Sequence, residues 1–218
     1  VTLGEATSTQ GGHLKLLLAR NQILLLTEGA LYSEGERYLP AVALARHLGD
    51  GLQRARTVLV LGVGAGSIVR VLRARGCYPC YTLVEQDRTV LRWAMETLLD
   101  EDRPQADQLE PVCQDAEAFM AENQRQFDLV FVDLFQGRRV PGFVTTPGFL
   151  GRCQAALAPG GRFVLNYLAD DEEAWAKLHP SLLALFPGAA VASIRDNRIL
   201  VSAPVPVPPG EDSGTGHP

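Results

Sequence analysis

Lysine is nearly absent from this 218-residue chain: Lys15 and Lys177 are the only two among 20 basic residues. That arginine bias reads as codon usage rather than chemistry. Basic charge is in deficit overall, because 25 acidic residues leave a formal net charge of −5. A chain without a basic surplus suits a nucleic-acid backbone poorly, since phosphate binding demands a positive face. A small, cationic substrate fits the balance better. Long hydrophobic runs are also missing. The longest candidate, Leu14 to Leu26, is broken by Lys15, Arg20, Asn21 and Gln22, well short of the roughly 18 apolar residues of a membrane span. No positively charged start leads into an apolar core, so no membrane partner is expected and a cytoplasmic protein is. Cysteine is scarce too. Four cysteines do not make a disulfide framework in a chain of this length. Cys77-Tyr78-Pro79-Cys80 has the C-x-x-C spacing, yet no second pair or nearby histidine completes a zinc site. His13, His47, His179 and His217 are scattered. Neither a metal nor a redox centre is expected.

What the chain does contain is enough apolar sequence, 46%, for one domain with a substantial core plus appendages. It is organised around Thr57-Val58-Leu59-Val60-Leu61-Gly62-Val63-Gly64-Ala65-Gly66-Ser67-Ile68-Val69-Arg70. A β-branched, leucine-rich run ends in glycines, and a helical pattern starts directly after them. That is a buried parallel strand, a tight turn and a helix N-terminus. Gly62 and Gly64 allow a sharp turn and close approach to a ligand, and Gly66 lets the helix pack closely. The next apolar strand, Tyr81 to Val84, ends in Glu85-Gln86-Asp87. Glu85 follows the turn at roughly the 20-residue interval at which an acid meets a ribose diol in nucleotide-binding βαβ units.

Taken in order, residues 1–13 read as a flexible arm. Residues 14–50 hold a β-hairpin, Leu14 to Ala19 and Gln22 to Thr27 about a turn at Arg20-Asn21, and a helix from Glu34 to Leu48 stopped by Gly49. Residues 51–203 alternate strand and helix. Helices are expected over Ser67 to Arg75 (arginines outward), Arg88 to Leu99, Glu117 to Asn123, Gly148 to Leu157 and Glu172 to Phe186. A charged loop covers Asp100 to Asp107. Strands are expected over Leu109 to Cys113, Phe127 to Asp133 and Arg162 to Tyr167, the last entered by a turn at Pro159-Gly160-Gly161. A hairpin of Ala189 to Ile194 and Arg198 to Ser202 closes the pattern, and residues 204–218 read as a disordered tail. Such alternation implies a parallel sheet with helices on both faces and a ligand across the strands' carboxyl ends. Gly62 to Gly66, Glu85, Asp115 and Asp133 all fall at those ends. Asp87 is placed to start a helix, and Asp128 to play a structural part.

These residues resemble a known group. The Val-Leu-Gly-x-Gly-x-Gly turn, Val84 to Asp87, Asp115 and Phe127 to Asp133 are similar to the class I S-adenosylmethionine-dependent methyltransferase superfamily. The hairpin before Tyr38, with Pro159-Gly160-Gly161 and Phe163 to Asn166, resembles its spermidine synthase-like branch. The fold so implied is α/β: a Rossmann-like, doubly wound, mostly parallel seven-stranded sheet with a terminal antiparallel hairpin, preceded by a small N-terminal β-hairpin.

Carried over by position, the resemblance implies that Gly62, Gly64 and Gly66 face the methionine part of the cofactor. Glu85, beside Gln86, would bind the ribose, and Asp115 and Ala116 the adenine edge. Asp133 would sit beside the sulfonium as the catalytic residue. Tyr38, Gln136 and Tyr167, with Asn166, would line the acceptor side. Spermidine synthases carry acids at the positions of Ala65 and Gln136 and a polar residue at Leu39, and those acids help hold cationic amines. Their loss here favours methyl transfer from S-adenosylmethionine to an amine or other small nucleophile. The alternatives are aminopropyl transfer from decarboxylated S-adenosylmethionine and a non-catalytic nucleoside-binding module. The sequence names neither the acceptor nor an oligomeric state, a homodimer being compatible with it.

Overall fold

Residues 1–9, 11–27, 30–101, 107–169 and 172–207 are described in this computed structural model. The N-terminal part is a four-stranded antiparallel sheet in the order β1-β2-β3-β4. Its strands are β1 (Thr2–Thr7), β2 (His13–Ala19), β3 (Gln22–Thr27) and β4 (Ala30–Glu34). Helix α1 (Leu39–Leu48) leads from it into the main fold. There β5 (Thr57–Leu61), α2 (Ser67–Arg73), β6 (Cys80–Val84), α3 (Arg88–Glu101), β7 (Leu109–Val112) and α4 (Ala116–Glu122) alternate. They are followed by β8 (Phe127–Val132), α5 (Pro147–Ala155), β9 (Leu157–Leu168), α6 (Glu172–Leu185), β10 (Ala190–Ile194) and β11 (Asn197–Val201). The main sheet has seven strands in the order β10-β11-β9-β8-β5-β6-β7. β9, β8, β5, β6 and β7 pair in parallel, and β11 runs antiparallel to both β9 and β10.

Alternation on β5 explains why the sheet is doubly wound. Val58 and Val60 enter one apolar cluster with α1, α2 and α3. Leu59 and Leu61 enter the other, with α4, α5 and α6. Both faces of the strand are buried, so its sequence is an unbroken apolar run instead of an alternating one. β5 sends one connection to β6 and sits beside β8 on its other edge. The order therefore reverses between β5 and β8, and their carboxyl ends splay around a crevice.

The N-terminal region differs from the expected arm and hairpin. Thr2–Thr7 is a strand paired with β2, not a free arm. Leu3 is its one large apolar side chain and stands exposed, so no apolar period marked it; the open edge of β2 supplies its hydrogen bonds instead. A Cβ on Gly4 would stand 2.9 Å from the Trp93 ring, so β1 also lies close against α3. The hairpin itself is present. Arg20 and Asn21 both have positive φ, 50° and 58°, as a tight two-residue connection requires. β4 extends this hairpin into a meander and takes Glu34, expected to open the helix, which starts at Leu39 instead.

Three further corrections concern the main fold. Arg70 is turned inward, 5% exposed, with its guanidinium donating to the Ala65 carbonyl. Pro159-Gly160-Gly161 lies within the long β9. The start of the expected tail is held there, through Gly160 N–H to Val205 O at 2.8 Å and Val205 N–H to Gly161 O at 2.9 Å. The rest of that tail, 208–218, and most of the expected 100–107 loop lie outside the described residues.

Candidate active site

A cavity of about 500 Å3 opens over the carboxyl ends of β5, β6, β7 and β8. The N-terminal sheet closes one side of it through Ser8, Leu14, Thr27 and Tyr32. Gly62 and Gly64 form its floor. Gly62 has φ +88°, and a Cβ there would collide with the backbone carbonyl of Asp133. That glycine is what lets the β5 and β8 ends come together. Gly64, at φ +53°, would place a Cβ 3.2 Å from the Tyr32 carbonyl under the N-terminal sheet. Gly66 does not line the cavity. It is the N-cap of α2 at φ 81°, and a Cβ there would meet Leu98 of α3 at 2.8 Å, so its role is helix packing. Ala65 is 1% exposed and belongs to the apolar cluster beneath the N-terminal sheet.

Glu85, Gln86 and Asp87 follow β6 along the wall. The Glu85 carboxylate accepts from the backbone N–H groups of Asp87, 3.0 Å, and Val63, 3.2 Å. Burial raises its pKa, against the pull of backbone hydrogen bonds from Asp87, Val63 and Gln86. A carboxylate offers about four lone-pair sites, so these backbone bonds leave it some acceptor capacity on the cavity side. Asp87 acts as helix starter: its carboxylate accepts from Thr89 N–H and Val90 N–H at 2.8 and 3.2 Å. It also accepts from the Ser8 hydroxyl at 2.5 Å and Thr9 N–H at 2.9 Å, which ties the end of β1 to the cavity rim. Burial alone would raise its pKa, but these bonds outweigh it and hold the carboxyl below its usual value. Asp115 caps α4 through Ala118 N–H at 3.0 Å, and both Asp115 and Ala116 line the cavity. Asp128 anchors β5 through the N–H groups of Arg56 and Thr57, far from the cavity's chemistry.

Asp133, just past β8, forms the innermost polar group. Tyr38 donates its hydroxyl to the two carboxylate oxygens at 2.9 and 2.7 Å. Asn166 Nδ2 donates to Oδ1 at 2.7 Å and to the Tyr38 oxygen at 3.2 Å. Burial pushes Asp133 up to about 6, although the Asn166 and Tyr38 hydrogen bonds pull it down. Burial and the facing carboxylate raise the Tyr38 phenol well above its ordinary value. Asn166 Oδ1 is buried with no hydrogen-bond partner. The triad separates two spaces. Asp133 lines the large cavity, and Tyr38 lines a second one of about 230 Å3 beneath α1 and the β10–β11 turn. Tyr32 and Gly137 border both, with the Gly137 N–H donating to the Tyr32 hydroxyl at 2.7 Å.

Gln136 lines the large cavity, as expected for the loop after β8. Tyr167 does not. It packs on Trp175 of α6, ring centroids 5.5 Å apart, because the two-residue period of β9 gives the site to Asn166 and the opposite face to Tyr167. The sequence reading missed Tyr32, Ser8, Leu14 and Thr27. Their signal was weak, since they reach the site from a separate sheet. Among the described residues no cluster of His, Cys, Asp and Glu could hold a metal, and no helix is long and apolar enough to cross a membrane.

Residues 39–182 match the spermine/spermidine synthase domain model. The chain belongs to the spermine/spermidine synthase family. That span runs from the first residue of α1 into α6, so it contains every site residue after Tyr38. No curated protein sequence matches the chain. Among solved structures, a probable spermidine synthase from Corynebacterium glutamicum is 23% identical, with a TM-score of 0.76 over 92% of this chain and 79% of that one. A spermidine synthase in complex with the transition state analogue AdoDATO is 18% identical, with a TM-score of 0.71 over 93% and 73%. Human methyltransferase-like protein 13 in complex with SAH is 22% identical, with a TM-score of 0.63 over 79% and 82%. At these identities the likeness is one of fold, and it bears out the Rossmann-like, methyltransferase-type sheet.

Proposed function

We propose that this family member is an aminopropyl-type transferase, taking its group from decarboxylated S-adenosylmethionine and passing it to a small amine. Methyl transfer from S-adenosylmethionine, which the sequence favoured, becomes the second reading. The observation that carries this order is the charge of the large cavity. Glu85, Asp87, Asp115 and Asp133 line it, and no Lys, Arg or His does so among the described residues. The two donors differ by one carboxylate. Held about 5 Å from another carboxylate at an effective dielectric near 20, it would be repelled by about 3 kcal/mol. The decarboxylated donor brings only positive charge to this lining. Family membership points the same way.

The residues present suit an adenosyl group. Gly62 and Gly64 leave a floor that any Cβ would fill, and the Glu85 carboxylate lines the wall where it can accept from a diol. Asp115 and Ala116 stand at the helix start, where an adenine edge would meet them. When bound, the donor supplies a carbon made electrophilic by a positive sulfur, which departs as a neutral thioether with the bonding pair. The chain supplies position and a proton acceptor. Asp133, with a pKa of about 6, is ionised at neutral pH and is placed between the two cavities. It can hold an acceptor amine and take its proton as the nitrogen forms its new bond. Tyr38 and Asn166 fix the carboxylate's orientation through three short contacts. The smaller cavity, reached past Tyr38, is the acceptor's side. Calorimetric titration with the two donors tests the reading. The decarboxylated form should bind at least about tenfold more tightly; equal or tighter binding of S-adenosylmethionine would restore methyl transfer.

A further inference from the structure

The smaller cavity carries charges that a simple diamine acceptor would not call for. A diamine bound with one nitrogen at Asp133 leaves a second ammonium at the far end, which acidic walls would suit. Here the far end is mixed: Glu34, Arg138, Arg195 and Asp196 all border it. Asp196 is already neutralised, its carboxylate 3.2 Å from Arg138. That leaves Glu34 and Arg195, neither of which has an ion-pair partner among the described residues. Their backbones are set by separate devices. Glu34 ends β4, and its N–H donates to Ser67 Oγ at 3.2 Å. The same oxygen meets buried Ser33 Oγ at 2.5 Å, which locks β4 to the start of α2. Arg195 opens the two-residue β10–β11 turn at φ +54°.

The spacing along β9 gives the reach. Asn166, which touches Asp133, pairs with Ile199, whereas Leu168 pairs with Asn197 beside the turn. Two strand residues separate these levels, roughly 7 Å, comparable to the length of a four-carbon chain. A substrate with its reacting nitrogen at Asp133 would therefore carry its other end to the level of Asn197 and Ile194, beside the turn that Arg195 opens.

We propose, resting on the aminopropyl-type reading above, that the acceptor is a carboxylated diamine, an α,ω-diamino acid of which ornithine is the type. Its ω-nitrogen lies at Asp133, its α-ammonium faces Glu34 and its α-carboxylate is taken by Arg195. Leu39 and Pro40 at the start of α1 supply apolar wall for the methylene chain. The transfer step balances as for any amine. The ω-nitrogen's lone pair bonds to the donor carbon, the carbon–sulfur pair leaves with sulfur, and the nitrogen's proton passes to the Asp133 carboxylate.

Ornithine and putrescine make a clean comparison, because they differ by the one carboxylate. With the large cavity saturated by 5′-methylthioadenosine, both are titrated calorimetrically into the wild-type chain and into Arg195→Ala and Arg195→Lys. Ornithine should bind at least about tenfold more tightly than putrescine, as one charge-assisted contact allows. Arg195→Ala should bring the two within about twofold, and Arg195→Lys, which keeps the charge without the guanidinium fork, should fall between wild type and Arg195→Ala. Putrescine binding as tightly as ornithine would overturn the inference. So would a preference that survives Arg195→Ala, or binding of neither amine while the nucleoside binds; both leave the proposed function standing. Failure of the nucleoside itself to bind would remove the proposed function and this inference together.

Discussion

Asp133→Asn is the substitution that separates catalysis from architecture. The side chain keeps its shape, and the Tyr38 hydroxyl can rotate to accept from the new amide while Asn166 still donates to the remaining oxygen. The fold and the donor cavity should therefore survive, with donor affinity within about threefold of wild type. Turnover should fall by about 10²–10⁴, the usual share of a positioned general base. The pH dependence sharpens this. With a pKa of about 6, the carboxylate is about 90% ionised at pH 7 and about 10% at pH 5. Wild-type kcat/KM should climb tenfold per unit below pH 6 and level off above it, and the variant should lose that limb. Stability should move the other way. A folded-state pKa raised from 3.8 to about 6 means that the folded form gains from protonation. That gain is fully present below pH 3.8 and is lost as pH rises through 6. It amounts to at most about 3 kcal/mol, less where cavity water solvates the oxygens. Asp133→Asn should thus equal or exceed wild type in stability at pH 8, with the difference vanishing near pH 3. Single-turnover transfer and denaturant unfolding across pH measure both. Wild-type turnover, or an unchanged acid limb, would refute the assignment.

Two further expectations rest on the cavity floor and rim. Glu85→Ala should weaken donor binding by about tenfold or more, the cost of two lost charge-assisted hydrogen bonds to a diol; calorimetry on the folded variant checks it, and unchanged affinity would remove the ribose assignment. Gly62→Ala drives a Cβ into the Asp133 carbonyl at φ +88°, and backbone cannot yield as a side-chain tip can. It should lower stability by about 3 kcal/mol or more and abolish donor binding, as thermal unfolding with and without nucleoside would show.

The main sheet was legible because local pattern and tertiary role coincide there. β5, β6 and β8 are buried on both faces, and such strands must be continuous apolar runs ending where the chain turns to a helix. The positions of Glu85, Asp115 and Asp133 at those ends follow from that alternation alone. So does the capping by Asp87, whereas Asp128, expected only to be structural, reaches Arg56 and Thr57 because β8 lies beside β5. Side-chain direction was harder to read. Asn166 and Tyr167 are neighbours, and only the register of β9 between β8 and β11 decides that the amide meets Asp133 while the ring packs on Trp175. Gly66 belongs to the same glycine turn as Gly62, yet the closeness of α3 turns it to packing instead of ligand approach.

What the sequence by itself determined is the alternating α/β framework, its glycine turn and the acids at its strand ends, because each is written in contiguous residues. What only the tertiary structure decided is the enclosure of the site. β1 has no apolar period, and its strand state depends on the edge of β2 and the face of α3. Tyr32, Leu14 and Ser8 become cavity wall because that sheet docks over α3 and the glycine turn. Tyr38 and Asn166 reach one carboxylate from positions 128 residues apart. The charge character of both cavities arises the same way, from side chains that the chain holds far apart and packing brings to one surface.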